Sequence, residues 1–303
     1  MGSHKKQHWI PDTYLNAWCD PDPARQNPRR VHRYNTDGSY RDYRPPSRIF
    51  TVDDLYTVPG PDGGRDLKTE HALNRLEDSF ARLRRTHLVK SIPLTSTGRR
   101  DLIWFIAAMR NRSPTMHAKQ QAFHDSVLRV ANSMEDGLKA MSPEKRAGWH
   151  SKNRRTPLPR ADGDRGIPLS AYREIAAQPF GAYLPEHIVI EAQLLERMHL
   201  TVIRIPVGQS LITSDHPVVW WDPGDPPPSR FPLGLSRKAI QVTCPLTPHL
   251  CALSSHRPGA DYADTDIEEV DILNMRTLYR AADTFISHRP DLVVDWHEPP
   301  GSR

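Results

Sequence analysis

Cysteine is scarce in this chain: Cys19, Cys244 and Cys251 cannot all pair, and none stands in a Cys-x-x-Cys step. That excludes a disulfide framework and the usual zinc-ribbon or redox motifs, and it fits a reducing compartment. Long apolar runs are missing too, since nowhere do about 18 uncharged apolar residues follow one another. The start, Met1-Gly2-Ser3-His4-Lys5-Lys6, is polar and leads into no signal-peptide core, so the expectation is a cytoplasmic protein with no membrane partner. The nucleotide-binding loops Gly-x-x-x-x-Gly-Lys-Ser/Thr and Gly-x-Gly-x-x-Gly are absent, as are the Gly-x-Ser-x-Gly elbow and the His-Glu-x-x-His zinc step. No cofactor is therefore expected, and no metal.

What the chain does have is charge, proline and length. A mean hydropathy of −0.63 and 29 prolines among 303 residues point to long irregular connections around an ordinary core. The net charge of +5 is uneven. Arg25, Arg29, Arg30, Arg33, Arg41, Arg44 and Arg48 crowd the first fifty residues, and Lys145, Arg146, Lys152, Arg154, Arg155 and Arg160 form a second cluster. Guanidinium forks suit phosphate and carboxylate, so nucleic acid or another polyanion is a candidate partner, beside the plainer reading of a solvated surface.

Periodicity gives the organisation. Residues 31–34 and 49–58 read as extended segments of a loop-rich β lobe covering 1–65, while Leu67 to Val89 repeats Leu73, Leu76, Phe80 and Leu83 at helical spacing. A second helix starts after Ser96 or Thr97 and carries Leu102, Ile103, Phe105, Ile106 and Met109. It is expected to kink at Pro114 and continue through Phe123, Val127 and Val130. Residues 133–167 are polar and read as a mobile insertion. Shorter helices are expected over 169–178 and 185–199, then short strands over 200–205, 210–213, 217–221, 239–244 and 250–254, and a last helix opened by Asp266. The sum is one α+β domain over 1–303, with long helices packed on a small antiparallel sheet.

Two segments concentrate groups able to move protons: His8-Trp9-Ile10-Pro11 with Tyr14-Leu15, and Thr213-Ser214-Asp215-His216-Pro217. His8 lies before an aromatic and a proline-initiated turn, a context that fixes an imidazole for general acid-base work; packing against Trp9 and Tyr14 is the structural alternative. Asp215 ends an apolar strand, where a carboxylate can orient a histidine or act as a base. A plain Ser-Asp-x-Pro turn explains it equally well.

These segments also carry a family likeness. The string Lys6-Gln7-His8-Trp9-Ile10-Pro11-x-x-Tyr14-Leu15-x-x-Trp18 resembles the start of the bacterial domain-of-unknown-function 4238 family. So do the Arg112-Ser113-Pro114 step, the strand and turn from Leu211 to Val218, and Asn274 in a final helix leading to Ala281 and Ala282. Trp9, Asp12 and His216 stand where that family commonly has Tyr, Gln and Asn. The His216 departure matters most, because a hydrogen-bonding amide there implies a structural role rather than proton transfer. The resemblance supplies no chemistry of its own.

Arg110-Asn111-Arg112 followed by His117 is similar to the Arg-Asn-to-His spacing of HEPN ribonucleases, with Pro114 interrupting it. Metal ligation has two fragments, Glu196-x-x-His199 and the Glu70/Glu77 pair, without the second Glu-x-x-His step that helical di-iron sites use; His117 and His124, seven apart, are more simply solvated. The leading expectation is an enzyme acting on an anionic substrate, a phosphodiester or nucleic acid, by metal-independent acid-base chemistry. His8, Asp215 and His216 form the proton-moving centre, and Arg110, Asn111, Arg112, Ser214 and Asn274 hold substrate. A non-catalytic nucleic-acid or protein-binding module and a metal-dependent hydrolase or oxygenase remain open beside it.

Overall fold

The computed structural model describes residues 6–22, 24, 29–59, 64–152, 168–177, 179–225 and 233–290. Arg25, Arg154, Arg155 and Arg160 of the basic clusters lie outside them. Strand β1 (Lys6–His8) leads into the single turn α1 (Asp12–Leu15), followed by β2 (Val31–Asn35), β3 (Tyr40–Arg44), β4 (Thr51–Asp53) and the two-residue strands β5 (Val58–Pro59) and β6 (Arg65–Asp66). Helices α2 (Lys68–Leu83), α3 (Ser96–Asn111), α4 (Pro114–Ala140), α5 (Pro143–Lys152), α6 (Leu169–Ala177) and α7 (Pro179–Leu195) come next. The chain then runs through β7 (His199–Arg204), β8 (Thr213–Ser214), β9 (Val219–Trp221), β10 (Gln241–Thr247), β11 (Leu250–Ser255), β12 (Tyr262–Asp264), α8 (Ile267–Arg280) and β13 (Thr284–Ser287).

The class is α+β, as expected, but the strands form four sheets among the described residues rather than one. A five-stranded sheet has the order β12-β7-β11-β10-β9, with only the β12–β7 pair parallel. A four-stranded sheet, β3-β2-β13-β8, joins the beginning, middle and end of the chain, and two small ribbons pair β1 with β4 and β5 with β6. Tyr34, Ile212, Leu278 and Phe285 pack together where α8 meets the four-stranded sheet.

Helix α2 turns Leu73, Phe80 and Leu83 inward and widens into a π-helical turn over Arg84–Leu88. Phe80 stacks on Phe105 of α3, and Tyr14 of α1 leans on both rings, which fixes α1 against the α2/α3 pair. Burying these three aromatics supplies several kcal/mol of apolar transfer free energy, about 1.5–3 kcal/mol for a Phe-sized side chain. Thr95 caps α3 by accepting from the Gly98 amide, and Asp266 caps α8 by accepting from Glu269.

The chain divides into two compact units, residues 1–114 with 184–303, and residues 115–183. In the second, His124 Nδ1 and the Tyr172 hydroxyl are 2.7 Å apart, the His124 ring stacks on Tyr183, and Arg173 pairs with Glu135 at 2.7 Å. One expectation changes here. The helix does not kink through Pro114: α3 ends at Asn111, Arg112 leaves the helical region at φ −90° and ψ 7°, and a new helix opens at the proline, whose missing N–H costs nothing at a first turn. The segment expected to be an insertion over 133–167 is helical through Lys152, with its remainder, 153–167, outside the described residues.

Candidate functional site

The residue before the first helix turn is held from both sides. Strand β1 pairs His8 with Thr51 and Gln7 with Val52 of β4, and the Trp9 amide donates to the carbonyl of Phe50 at 3.0 Å. Phe50 takes a left-handed φ of 55°, a strained choice for a bulky residue, and its ring meets Trp9 at 5.4 Å. Gln7 is buried and fully used: its amide nitrogen donates to Thr57 Oγ1 at 2.9 Å and Glu70 Oε2 at 2.7 Å, and its oxygen accepts from the Tyr56 amide at 2.6 Å. The Tyr56 hydroxyl donates to the His8 carbonyl at 3.0 Å. His8 therefore sits on backbone with little freedom to move.

This ribbon, α1 and α2 enclose a cavity of about 190 Å³. His8 and Asp12 contribute from the N-terminal side, Glu70, Asn74 and Glu77 from one face of α2, and Arg112 from the end of α3. Arg112 is 1% exposed; its Nη1 donates to Glu77 Oε1 at 2.6 Å, its Nη2 reaches only the Met109 thioether at 3.2 Å, and its Nε has no acceptor. His8 Nε2 is likewise buried with no hydrogen-bond partner among the described residues. Burial pushes the imidazole below its ordinary value of 6.5, with Arg112 acting in the same direction, while Asp12, Glu77 and the Pro46 carbonyl pull the other way. The ring is held neutral near pH 7, so one of its nitrogens carries a free lone pair.

Asp215 does different work. Its Oδ1 accepts from the Ala282 amide at 2.9 Å, and its Oδ2 accepts from Asp283 at 2.8 Å and Thr284 at 3.1 Å. The carboxylate, 5% exposed, is a staple for the link between α8 and β13 and is not on the wall of the His8 cavity. Ser214 Oγ accepts from the His216 amide at 3.1 Å, as in the turn chemistry that the sequence offered as the alternative. Asn274 is used up by backbone, donating to Ser210 O at 3.0 Å and accepting from the Ile212 amide at 2.8 Å. The two sequence segments do meet, through other residues. The buried Tyr14 hydroxyl lies 2.7 Å from Thr213 Oγ1 and donates to the Pro245 carbonyl at 2.6 Å.

Arg110 and Asn111 point to a separate place from Arg112. Both donate to Glu191 Oε2, at 2.8 and 2.6 Å, and Arg110 lies 3.6 Å over the Trp220 ring. Burial raises the Glu191 carboxyl above its ordinary value, opposed by Arg110, Asn111 and the Trp220 indole. His117 packs on Phe180 at 4.8 Å, and burial lowers its pKa. Glu196 accepts from Trp104 Nε1 at 2.9 Å, and His199 lies against the Ala260 carbonyl, so neither joins Glu70 and Glu77. Among the described residues no three His, Cys, Asp or Glu side chains are grouped to hold a metal ion.

The sequence picked out His8, Arg112, Glu70 and Glu77 separately and missed that they share one cavity. It missed Gln7 and Tyr56 as well. The spacing of Glu70, Asn74 and Glu77, one helix face at i, i+4 and i+7, is the signal that could have shown the polar wall.

A family model described as "Protein of unknown function (DUF4238)" matches residues 6–291, essentially the whole chain. No curated protein and no solved structure matches it.

Proposed function

Since the chain belongs to the DUF4238 family, and that membership carries no activity, we propose from the chemistry of the cavity that the protein is an enzyme in which His8 moves a proton. The supporting observation is the pairing, on one small cavity, of a neutral imidazole that has an unpartnered buried Nε2 with a buried arginine that has an unpartnered Nε–H. One acceptor-seeking donor and one basic nitrogen suit a hydroxyl or water oxygen. The Arg112 Nε–H can donate to a lone pair of that oxygen as His8 removes its proton.

The cavity sets two cationic side chains, Lys6 and Arg112, against three carboxylates, Asp12, Glu70 and Glu77. Such a lining does not concentrate anions, so the group entering it is the neutral nucleophile, a substrate hydroxyl or water. The anionic part of a phosphodiester or nucleic-acid substrate stays outside. Asp215, with both oxygens committed to backbone amides, has no part in this scheme.

The test is turnover of RNA, tRNA and single-stranded DNA by wild type and His8→Gln. The expected loss is about 10²–10⁴-fold with the melting temperature retained, as for removal of a general base. The rate of the wild type should rise with pH as His8 deprotonates. Equal turnover in both proteins removes the role of His8, and none by the wild type removes the phosphodiester assignment.

A further inference from the structure

On the other side of α1 and α2 lies a second, larger hollow of about 540 Å³, and its character is opposite. Four arginines line it: Arg29 from the segment before β2, Arg82 near the end of α2, and Arg84 and Arg85 in the π-helical turn. Among the described residues Asp78 is the one carboxylate on its wall. None of the four guanidinium groups is ion-paired to a carboxylate among the described residues. Arg82 reaches only Ser79 Oγ, at 3.4 Å. Arg84 is fixed in place by donating from Nη1 to the carbonyls of Thr13 at 3.0 Å and Tyr14 at 3.4 Å.

Two polar side chains of the N-terminal segment complete the wall. Thr13 Oγ1 is buried with no hydrogen-bond partner among the described residues, and Asn16 lines the hollow with its side-chain oxygen accepting from the Cys19 thiol at 4.0 Å. Four like charges facing a single carboxylate, Asp78, leave a net positive excess in the hollow, and a bound anion relieves their mutual repulsion. Guanidinium groups bind phosphoryl oxygens through paired N–H donors, so a cluster of them selects oxyanions with several oxygens over halide-like ions. Among the described residues the lining includes no aromatic side chain, hence no platform on which bases of a single strand would stack.

We propose that this hollow is a binding site for a compact oligophosphate group, two linked phosphoryl units of a phosphorylated small molecule, held by Arg29, Arg82, Arg84 and Arg85 with Thr13 and Asn16. The inference goes beyond the His8 reading and stands or falls without it. It is read by titration calorimetry of the full chain with pyrophosphate. Arg82→Glu/Arg85→Glu removes two exposed groove arginines, Arg75→Glu changes an exposed arginine of α2 outside the groove, and His8→Gln changes the other cavity.

Saturable pyrophosphate binding is expected, weakened more than about tenfold in the double variant, changed less than about twofold by Arg75→Glu, and unaltered by His8→Gln, with orthophosphate weaker than pyrophosphate. Relief of repulsion should leave the double variant melting at or above the wild-type temperature, which separates lost binding from lost folding. Absent binding, or an equal loss in Arg75→Glu, overturns the site. A single-stranded oligonucleotide lacking terminal phosphates that binds more tightly than pyrophosphate overturns the compact ligand class.

Discussion

Replacing Asp215 by alanine decides between a catalytic carboxylate and a structural one. The substitution strands three backbone amides, those of Ala282, Asp283 and Thr284, which now donate to its two oxygens at 2.8–3.1 Å. A buried amide left without an acceptor costs about 1–3 kcal/mol, and bonds to a charged acceptor lie toward the upper part of that range. Two of the three are only partly buried and recover some of the loss through water, so the total comes to about 3–5 kcal/mol. Set against a typical stability of about 5–15 kcal/mol, this is a large fraction. At about 2–4 °C per kcal/mol for a chain of this size class, the melting temperature should fall by about 6–20 °C. Thermal unfolding followed by circular dichroism, with urea titration for the free energy, measures it. A variant that melts within about 1 °C of wild type shows that the amides of 282–284 do not depend on this carboxylate, and the staple reading is then wrong.

The Glu77–Arg112 pair, at 2.6 Å with the arginine 1% exposed, should be strongly coupled. Glu77→Gln leaves the buried Arg112 charge without its counter-ion, at about 3–5 kcal/mol, Arg112→Met leaves the partly exposed Glu77 at a smaller loss, and the double variant should lose clearly less than the sum. Strict additivity in a urea double-mutant cycle would count against the pair. The pH dependence of stability carries two opposite signatures. His8, its folded pKa pushed below 6.5 by burial, contributes stability that is full above pH 6.5 and is lost as pH falls through the folded value; His8→Gln should flatten that fall. Glu191, its carboxyl raised by burial above 4.5, contributes most below that pH and loses its contribution as pH rises through the folded value, a decline that Glu191→Gln should remove. Urea midpoints measured from about pH 4 to pH 8 resolve both signs.

The long helices were legible because each carries its own stripe: Leu73, Phe80 and Leu83 in α2, Leu102, Phe105 and Ile106 in α3, Val270 and Leu273 behind the Asp266 cap in α8. The β10–β11 pair was legible as two successive short strands, expected over 239–244 and 250–254. Pairings set by distant segments left no local trace. The meeting of β13 with β2, and of Tyr14 with Thr213, depends on which surfaces remain uncovered after the helices dock. The helices within the segment read as a polar insertion, 133–167, left no signal because most side chains of 133–148 face solvent, and a helix with little buried face shows no hydrophobic period. Asp215 was left open between two readings for a related reason: a carboxylate at a strand end has the same sequence context whether it faces substrate or the amides of a turn 67 residues away.

The candidate cavity and the arginine hollow share their dividing wall. Asp12 of α1 and Glu77 of α2 face His8, whereas the next residues along each helix, Thr13 and Asp78, line the arginine side. Carboxylates outnumber cations on one side of a single helical turn, three to two, and arginines outnumber carboxylates on the other, four to one, among the described residues, and Arg84 clamps that turn through the Thr13 and Tyr14 carbonyls. The clamp ties the two sites together, because Asp12 is the strongest of the charges that favour a protonated His8. Arg84→Gln should therefore do two things. It should weaken pyrophosphate binding, and by loosening α1 it should draw Asp12 away from the imidazole, moving the pH at which stability falls further down. Arg82→Glu/Arg85→Glu, which leaves the clamp intact, should do only the first. Urea midpoints across the acidic range separate the two, and an Arg84→Gln profile that overlays the wild type would mean that α1 holds Asp12 in place without the clamp.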